Sequence, residues 1–285
     1  MISTAKPSPE GPDRAPETTE DDFLGGRLKI VQSKTGHRAG SDAVFLAASV
    51  AAQPGDCVLD AGAGAGTAGL CVLARVHEAK VTAVEIDGAQ CALARENAAQ
   101  NGFADRFAAI AADLTGPAKV LANAGFQREG YDHVMVNPPF HLEGSVRESP
   151  DASRLTAHVM ARGELERWVR FLTTAAAPRG TITLIHRADC LGVLLELLED
   201  RLGDLAVYPL FPKAKEPAGR VILQGRKNSR ANMRLLPGLV LHEADGTYTK
   251  EADSVLRGGT ALDLTSQKKG RRPGGKGGSP TSARA

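Results

Sequence analysis

The tetrapeptide Asn137-Pro138-Pro139-Phe140 combines residue types that can activate a poor nucleophile. An exocyclic amine on an aromatic ring, or an amide nitrogen, has its lone pair delocalised. Accepting both of its N–H bonds, through the Asn137 side-chain oxygen and the Pro138 backbone carbonyl, draws such a nitrogen toward tetrahedral geometry and frees the lone pair. No strong base is required, because the nitrogen becomes acidic once it is alkylated. Two consecutive prolines fix φ and restrict the residue ahead of them, so the loop is stiff before a substrate arrives. Phe140 offers a face for stacking on a planar substrate, worth about 1 to 3 kcal/mol if that substrate is a base. The plainer alternative is a Pro-Pro turn that only closes a strand.

Upstream, Asp60-Ala61-Gly62-Ala63-Gly64-Ala65-Gly66 stands directly between an apolar strand pattern and a helical one. Glycines allow a sharp turn with positive φ and a close approach of ligand to backbone, and the helix that follows presents unpaired N–H groups. Glu85 ends the next strand pattern, about twenty residues on, where a carboxylate can accept from both hydroxyls of a ribose. Asp87 competes for that role, but beyond the strand it reads as a turn or helix cap. A dinucleotide would suit the same pair of features. S-adenosylmethionine is favoured by Asp60 opening the turn, by Asp113 ending a third strand, and by a fourth strand that runs straight into Asn137. For Asp113 a capping role is the alternative.

These groups need a scaffold that brings distant loops to one place. CVLDAG, VTAVEID, FAAIAAD, YDHVMVN and TITLIHR read as buried strands separated by the helical stretches TAGLCVLARVH, AQCALARENAAQNG and LERWVRFLTTAAAPRG. LGVLLELLEDRLG adds a helix, LAVYPLF and RVILQGRK add strands, and Ser41 to Ala52 reads as a helix with Ser41 or Asp42 near its N-cap. Alternation of this kind predicts an α/β fold, Rossmann-like, with a mainly parallel sheet and helices on both faces.

The net charge of +2 conceals an uneven distribution. Residues 1–22 carry a net charge of −4 and few large apolar groups, and are expected to be a disordered acidic tail; residues 266–285 carry +6 and are expected to be a disordered basic tail. Residues 23–265 form the expected catalytic domain. Between Lys213 and Arg234 lie Lys213, Lys215, Arg220, Arg226, Lys227, Arg230 and Arg234, opposed by Glu216 alone. Such a stripe suits RNA phosphates, with a solvated hairpin face as the alternative, and the basic tail is either a second RNA contact or a solubilising extension. Cys57, Cys71, Cys91 and Cys190 show no metal or disulfide spacing, and the histidines show no metal spacing. Trp168 and Phe171 read as core on a helix face. No signal peptide or membrane span is visible, so the expected location is cytoplasmic.

The whole pattern resembles the class I methyltransferases of the amino-methylating type, which use an Asn/Asp-Pro-Pro-Tyr/Phe loop. More closely, Phe23-Leu24-Gly25-Gly26-Arg27-Leu28 and the run from Gly36 to Val44 (GHRAGSDAV) are similar to the N-terminal lead-in of the bacterial tRNA1(Val) adenine-37 N6-methyltransferase family. The resemblance covers about residues 22 to 235. It implies a seven-stranded sheet with the last strand antiparallel, a cofactor over the glycine turn, and a flipped adenine at Asn137. It also implies that Arg38, Gly40 and Asp42 lie beside the cofactor and substrate pocket. The chain departs from the family pattern in its basic C-terminal tail and in His-Leu-Glu-Gly after Phe140. Two other readings stay open. A protein glutamine N5-methyltransferase would use the same loop, though the N-terminal helical domain of release-factor enzymes is missing ahead of Phe23; a non-catalytic binding protein would be favoured by a damaged turn or loop, and neither is damaged.

Overall fold

The structure, a computed structural model, describes residues 17–35, 38–138 and 150–264, with side chains left undescribed over 150–161. It opens with a hairpin of β1 (Thr18–Phe23) and β2 (Leu28–Ser33) in antiparallel register from Thr18↔Ser33 to Phe23↔Leu28. The expected acidic tail is therefore too long: Thr18–Asp22 are paired strand. Its acidic composition misled because the offsetting cations lie on other segments. Lys29 pairs with Glu20 at 3.0 Å and Asp22 at 3.6 Å, and Arg38 with Asp21 at 2.6 Å.

Then come α1 (Ser41–Ser49), β3 (Cys57–Ala61), α2 (Thr67–Arg75), β4 (Lys80–Glu85), α3 (Gly88–Gln100), β5 (Phe107–Ala111), α4 (Ala118–Asn123) and β6 (Tyr131–Val136). After these follow α5 (Pro150–Ala175), β7 (Ala176–Arg187), α6 (Leu191–Glu199), β8 (Leu202–Lys213), β9 (Arg220–Lys227), β10 (Arg234–Leu235), β11 (Leu239–His242) and α7 (Lys250–Leu256). Helix α5 begins fifteen residues before the apolar pattern that announces it, with Pro150 at its first position, where a missing N–H costs nothing.

The main sheet runs β5-β4-β3-β6-β7-β9-β8-β10, with β11 also on β8. Strands β3 to β7 are mutually parallel where they pair, and β9 is antiparallel to both β7 and β8. The sheet has nine strands, not the seven expected. The seven are β3 to β9, and β9 is the antiparallel one. The additions, β10 and β11, are two and four residues long and flank Pro237-Gly238, too short for alternation to be legible. They cover β8, which would otherwise leave a long edge open for pairing with other chains.

Successive strand residues face opposite layers. Val58, Val81, Met135 and Ile185 pack with the hairpin, α1, α2, α3 and α7. Leu59, Val84, Val134 and Leu184 pack with α4, α5 and α6. This double cover explains why the central strands read as continuous apolar runs.

Candidate active site

In a parallel sheet whose strand order reverses, ligands bind at the carboxyl edge beside the reversal. Here the chain goes from β3 outward to β4 and β5, then crosses back so that β6 lies on the other side of β3. Ala61 and Val136 are register partners, so Gly62 and Asn137 leave adjacent strands side by side.

The glycine turn is built by backbone donors. The amides of Gly62 and Ala63 donate to the Val84 carbonyl at 2.8 and 3.2 Å, and that of Gly66 to Ala63 at 2.9 Å. Gly62, Gly64 and Gly66 have φ of 68°, 54° and 82°, a region that side chains disfavour. A Cβ at Gly64 would meet nothing within 4 Å, so this residue faces open space. Glu85 Oε2 accepts from the Gly64 amide at 2.8 Å and Oε1 from the Asp87 amide at 3.0 Å. A carboxylate has about four lone-pair sites, so Glu85 retains capacity for two hydroxyls. Asp87 is the N-cap of α3, accepting from Ala89 and Gln90.

Asp60 lies beneath the turn, 2% exposed, with Oδ2 accepting from the Gly69 amide at 2.9 Å. Sequence reasoning missed Gly69, whose hypothetical Cβ would stand 3.2 Å from that oxygen and 2.8 Å from Val81. Burial raises the Asp60 carboxyl from 3.8 to about 7, the Glu85 charge adds to the rise, and the Gly69 bond opposes it. The folded chain therefore holds this proton between about pH 4 and 7 while the unfolded chain has lost it. Stability falls as pH rises through that window and levels off above it. Asp60→Asn keeps an acceptor for Gly69 and is expected to flatten that slope, as measured by melting temperature against pH.

Asp113 follows β5, and its Oδ1 accepts from the Thr115 amide at 2.7 Å and hydroxyl at 2.8 Å. That oxygen closes a turn rather than capping a helix, since the N-cap of α4 is Pro117; the residue is exposed and next to Ala112, whose amide donates to the Glu85 carbonyl at 2.9 Å. Arg38 is held to the hairpin by Asp21. Gly40 is the N-cap of α1, and Asp42 in its first turn accepts from Arg220 Nε at 2.8 Å, which joins α1 to the start of β9. Since Arg220 is the register partner of Arg187 at the end of β7, Asp42 also lies at the carboxyl edge.

Asn137 is half-buried, and its Oδ1 is fully buried with no hydrogen-bond partner among the described residues. An unmet buried acceptor costs about 1 to 3 kcal/mol, which a ligand N–H would relieve. Pro138 is buried. Pro139, Phe140, His141, Gly36 and His37 lie outside the described residues, as does the side chain of His158. His133 stands near the start of β6, away from this edge. It is bonded to Thr181 and Asp56 at 2.7 and 3.1 Å, and burial lowers its pKa despite the Asp56 charge. Phe171 is core, whereas the half-buried Trp168 lies against Gly62, whose hypothetical Cβ would be 2.8 Å from Cη2.

The basic stripe does not stay together. Strand β9 runs from the carboxyl edge to the amino edge, leaving Lys213, Lys215 and Arg220 on the first and Arg226, Lys227, Arg230 and Arg234 toward the second. Several of the latter are structural: Lys227 Nζ donates to Glu129, Thr173 and Ala176, Arg226 to the Arg179 carbonyl, and Arg234 to Asp204 and the Leu264 carbonyl. Among the described residues no metal-binding cluster occurs.

Residues 29–159 match the Methyltransferase small domain family. The chain is 30% identical over 243 residues to a tRNA1(Val) (adenine(37)-N6)-methyltransferase of Porphyromonas gingivalis, covering 81% of this chain and 91% of that one. A protein of the same name from Aeromonas hydrophila is 28% identical over 80% of this chain and 92% of its own. A crystal structure from Agrobacterium tumefaciens, described as a predicted O-methyltransferase, superposes with a TM-score of 0.65 at 28% identity, covering 78% and 98% of the two chains. The chain is an S-adenosylmethionine-dependent methyltransferase and belongs to the tRNA1(Val) (adenine(37)-N6)-methyltransferase family.

Proposed function

We propose that this enzyme methylates the exocyclic N6 amine of an adenine in tRNA, with Asn137 as the group that receives the amine. The observation that carries the reading is the buried Oδ1 of Asn137 beside the glycine turn, which has no hydrogen-bond partner among the described residues. S-adenosylmethionine, when bound, supplies a methyl group on a positively charged sulfur. Gly62, Gly64 and Gly66 would let its amino-acid part approach the backbone, Glu85 would accept from its ribose hydroxyls, and Asp113 would face its base. Asp60 holds the turn from below, and Arg38, Gly40 and Asp42 border the pocket from the lead-in segment. Asn137 Oδ1 and the Pro138 carbonyl accept the two N–H bonds of the substrate amine, Pro139 stiffens the loop, and Phe140 stacks on the base. As the nitrogen gains its methyl bond it becomes cationic and releases one N–H proton to water.

The same chemistry separates nitrogen from oxygen as acceptor atom. A hydroxyl nucleophile needs its proton removed, and an amide such as Asn137 cannot take it. The tests are incubation with labelled cofactor and total RNA from a strain lacking the gene, then digestion to nucleosides. Label in N6-methyladenosine supports the proposal; label found only in protein would transfer it to a glutamine amide.

For RNA contact the carboxyl-edge cation Lys215 is the main proposed phosphate ligand, helped by the basic segment 266–285. Lys213, which also donates to the Ala244 carbonyl at 3.2 Å, and Arg220, which is paired with Asp42, add positive charge beside it. Losing one phosphate contact lowers the slope of log K against log salt by about 1. Lys215→Ala is expected to show that change in RNA binding. Lys227→Met is not, because it instead strands two carbonyls inside the fold and costs about 1 to 3 kcal/mol of stability. Equal salt slopes for the wild type and Lys215→Ala would remove the connection between β8 and β9 from the RNA path. The proposed location is the cytoplasm, where tRNA is modified; no described helix is long and apolar enough to cross a membrane, and all four cysteines are free.

A further inference from the structure

Asn97 lies in the middle of α3, fully buried, and its side chain uses both of its donors and its acceptor oxygen to join α3 to β2 and to the glycine turn. Its Oδ1 accepts from the Val31 amide at 2.8 Å, and its Nδ2 donates to the carbonyls of Val31 and Ala65, both at 3.0 Å. One helical turn on, Asn101 treats the same strand alike: Oδ1 accepts from the Lys29 amide at 3.0 Å and Nδ2 donates to the Lys29 carbonyl at 2.7 Å. Four residues of helix rise about 6 Å and two of strand about 6.8 Å, so the two side chains replace a missing neighbour strand along β2. They differ in the second Nδ2 bond, which Asn101 gives to the Asn97 carbonyl at 2.8 Å, at the end of its own helix, and Asn97 gives to the Ala65 carbonyl. Only Asn97 reaches the glycine turn.

That bond falls on the Ala65–Gly66 peptide. Its N–H is already fixed to the Ala63 carbonyl at 2.9 Å, and Asn97 fixes its carbonyl, so the plane cannot rotate. Two residues earlier the Gly64 amide is held by Glu85. Glycines on both sides of Ala65 give this stretch little stiffness of its own. We infer that Asn97 is a positioning residue for the cofactor: it locks the glycine turn in its receptive shape and ties that shape to the docking of the N-terminal hairpin. The inference rests on the proposed use of the glycine turn by S-adenosylmethionine.

Asn101 supplies the control, since its loss removes the bonds to Lys29 and to the Asn97 carbonyl and so loosens the hairpin and the end of α3, but takes no bond from the glycine turn. Calorimetric titration of the full chain with S-adenosylmethionine, thermal melts, and steady-state methylation of RNA are compared for Asn97→Ala, the milder Asn97→Ser, and Asn101→Ala. All three are expected to melt earlier. Asn97→Ala and Asn97→Ser are expected to bind cofactor roughly tenfold more weakly, the scale of one lost hydrogen bond, with a matching rise in KM for cofactor and little change in kcat. Asn101→Ala should bind it as the wild type does. Earlier melting with unchanged cofactor affinity in either Asn97 variant, or equal weakening in Asn101→Ala, would reduce Asn97 to a packing role. A wild type that takes up no S-adenosylmethionine would instead overturn the function on which the inference rests.

Discussion

Asn137→Ala is expected to cut methyl transfer about 100- to 1,000-fold, the scale seen when one preorganised hydrogen-bonding group is removed from a reacting centre. Cofactor binding should change little. The asymmetry follows from where the charge moves. In the ground state the substrate amine is nearly neutral, so its bonds to Oδ1 and to the Pro138 carbonyl contribute modestly. As the new N–C bond forms the N–H groups become strongly acidic, and the same acceptors stabilise them far more. The cost of holding Oδ1 buried with no partner among the described residues is already carried by the folded enzyme, so little reorganisation is needed during the reaction. Asn137→Asp retains an acceptor and is expected to lose much less rate than Asn137→Ala. The assignment fails if Asn137→Ala loses cofactor affinity in proportion to rate, or if it transfers methyl at the wild-type rate.

Much of this was legible because the relevant signals are local. Strands β3 to β7 are short apolar runs, the glycine turn follows one of them directly, and the Asn-Pro-Pro motif ends another, so the adjacency of Gly62 and Asn137 needs only the usual crossover rule to predict. What was not legible depends on partners remote in sequence. The Asn97 bonds reach 66 and 32 residues along the chain, and an asparagine inside ARENAAQ carries no mark of them. Thr18–Asp22 look like a tail until Lys29, Gln32 and Arg38 are placed opposite. The basic stripe shows the converse error. Nearness in sequence suggested one patch, but eight residues of β9 carry Arg220 and Lys227 to opposite edges of the sheet. Likewise Trp168, read simply as core, packs on the α-carbon side of Gly62 because α5 crosses over the glycine turn.

That last contact underlies the second large effect. Gly62→Ala is expected to abolish measurable cofactor binding at micromolar protein and to lower the melting temperature. Two penalties combine at this residue. Its φ of 68° lies in the left-handed region, which costs a side chain about 1 to 2 kcal/mol. The new Cβ would also stand 2.8 Å from Trp168 Cη2, on an indole packed against the α5–α6 layer; overpacking of this kind costs about 1 to 3 kcal/mol. Relief requires either the indole or the turn to move, and the turn is the part held by fewer atoms. Gly64→Ala separates the effects, since φ there is 54° but nothing lies within 4 Å of the added carbon. It should bind cofactor poorly yet melt closer to the wild type. Combining Gly62→Ala with Trp168→Phe removes Cη2 and should restore part of the lost stability, leaving the backbone strain as the remainder. Trp168 is the chain's single tryptophan, so its fluorescence reports directly on the turn when S-adenosylmethionine is added to the wild type. Wild-type affinity in Gly62→Ala would mean that the ligand is seated somewhere other than over this turn.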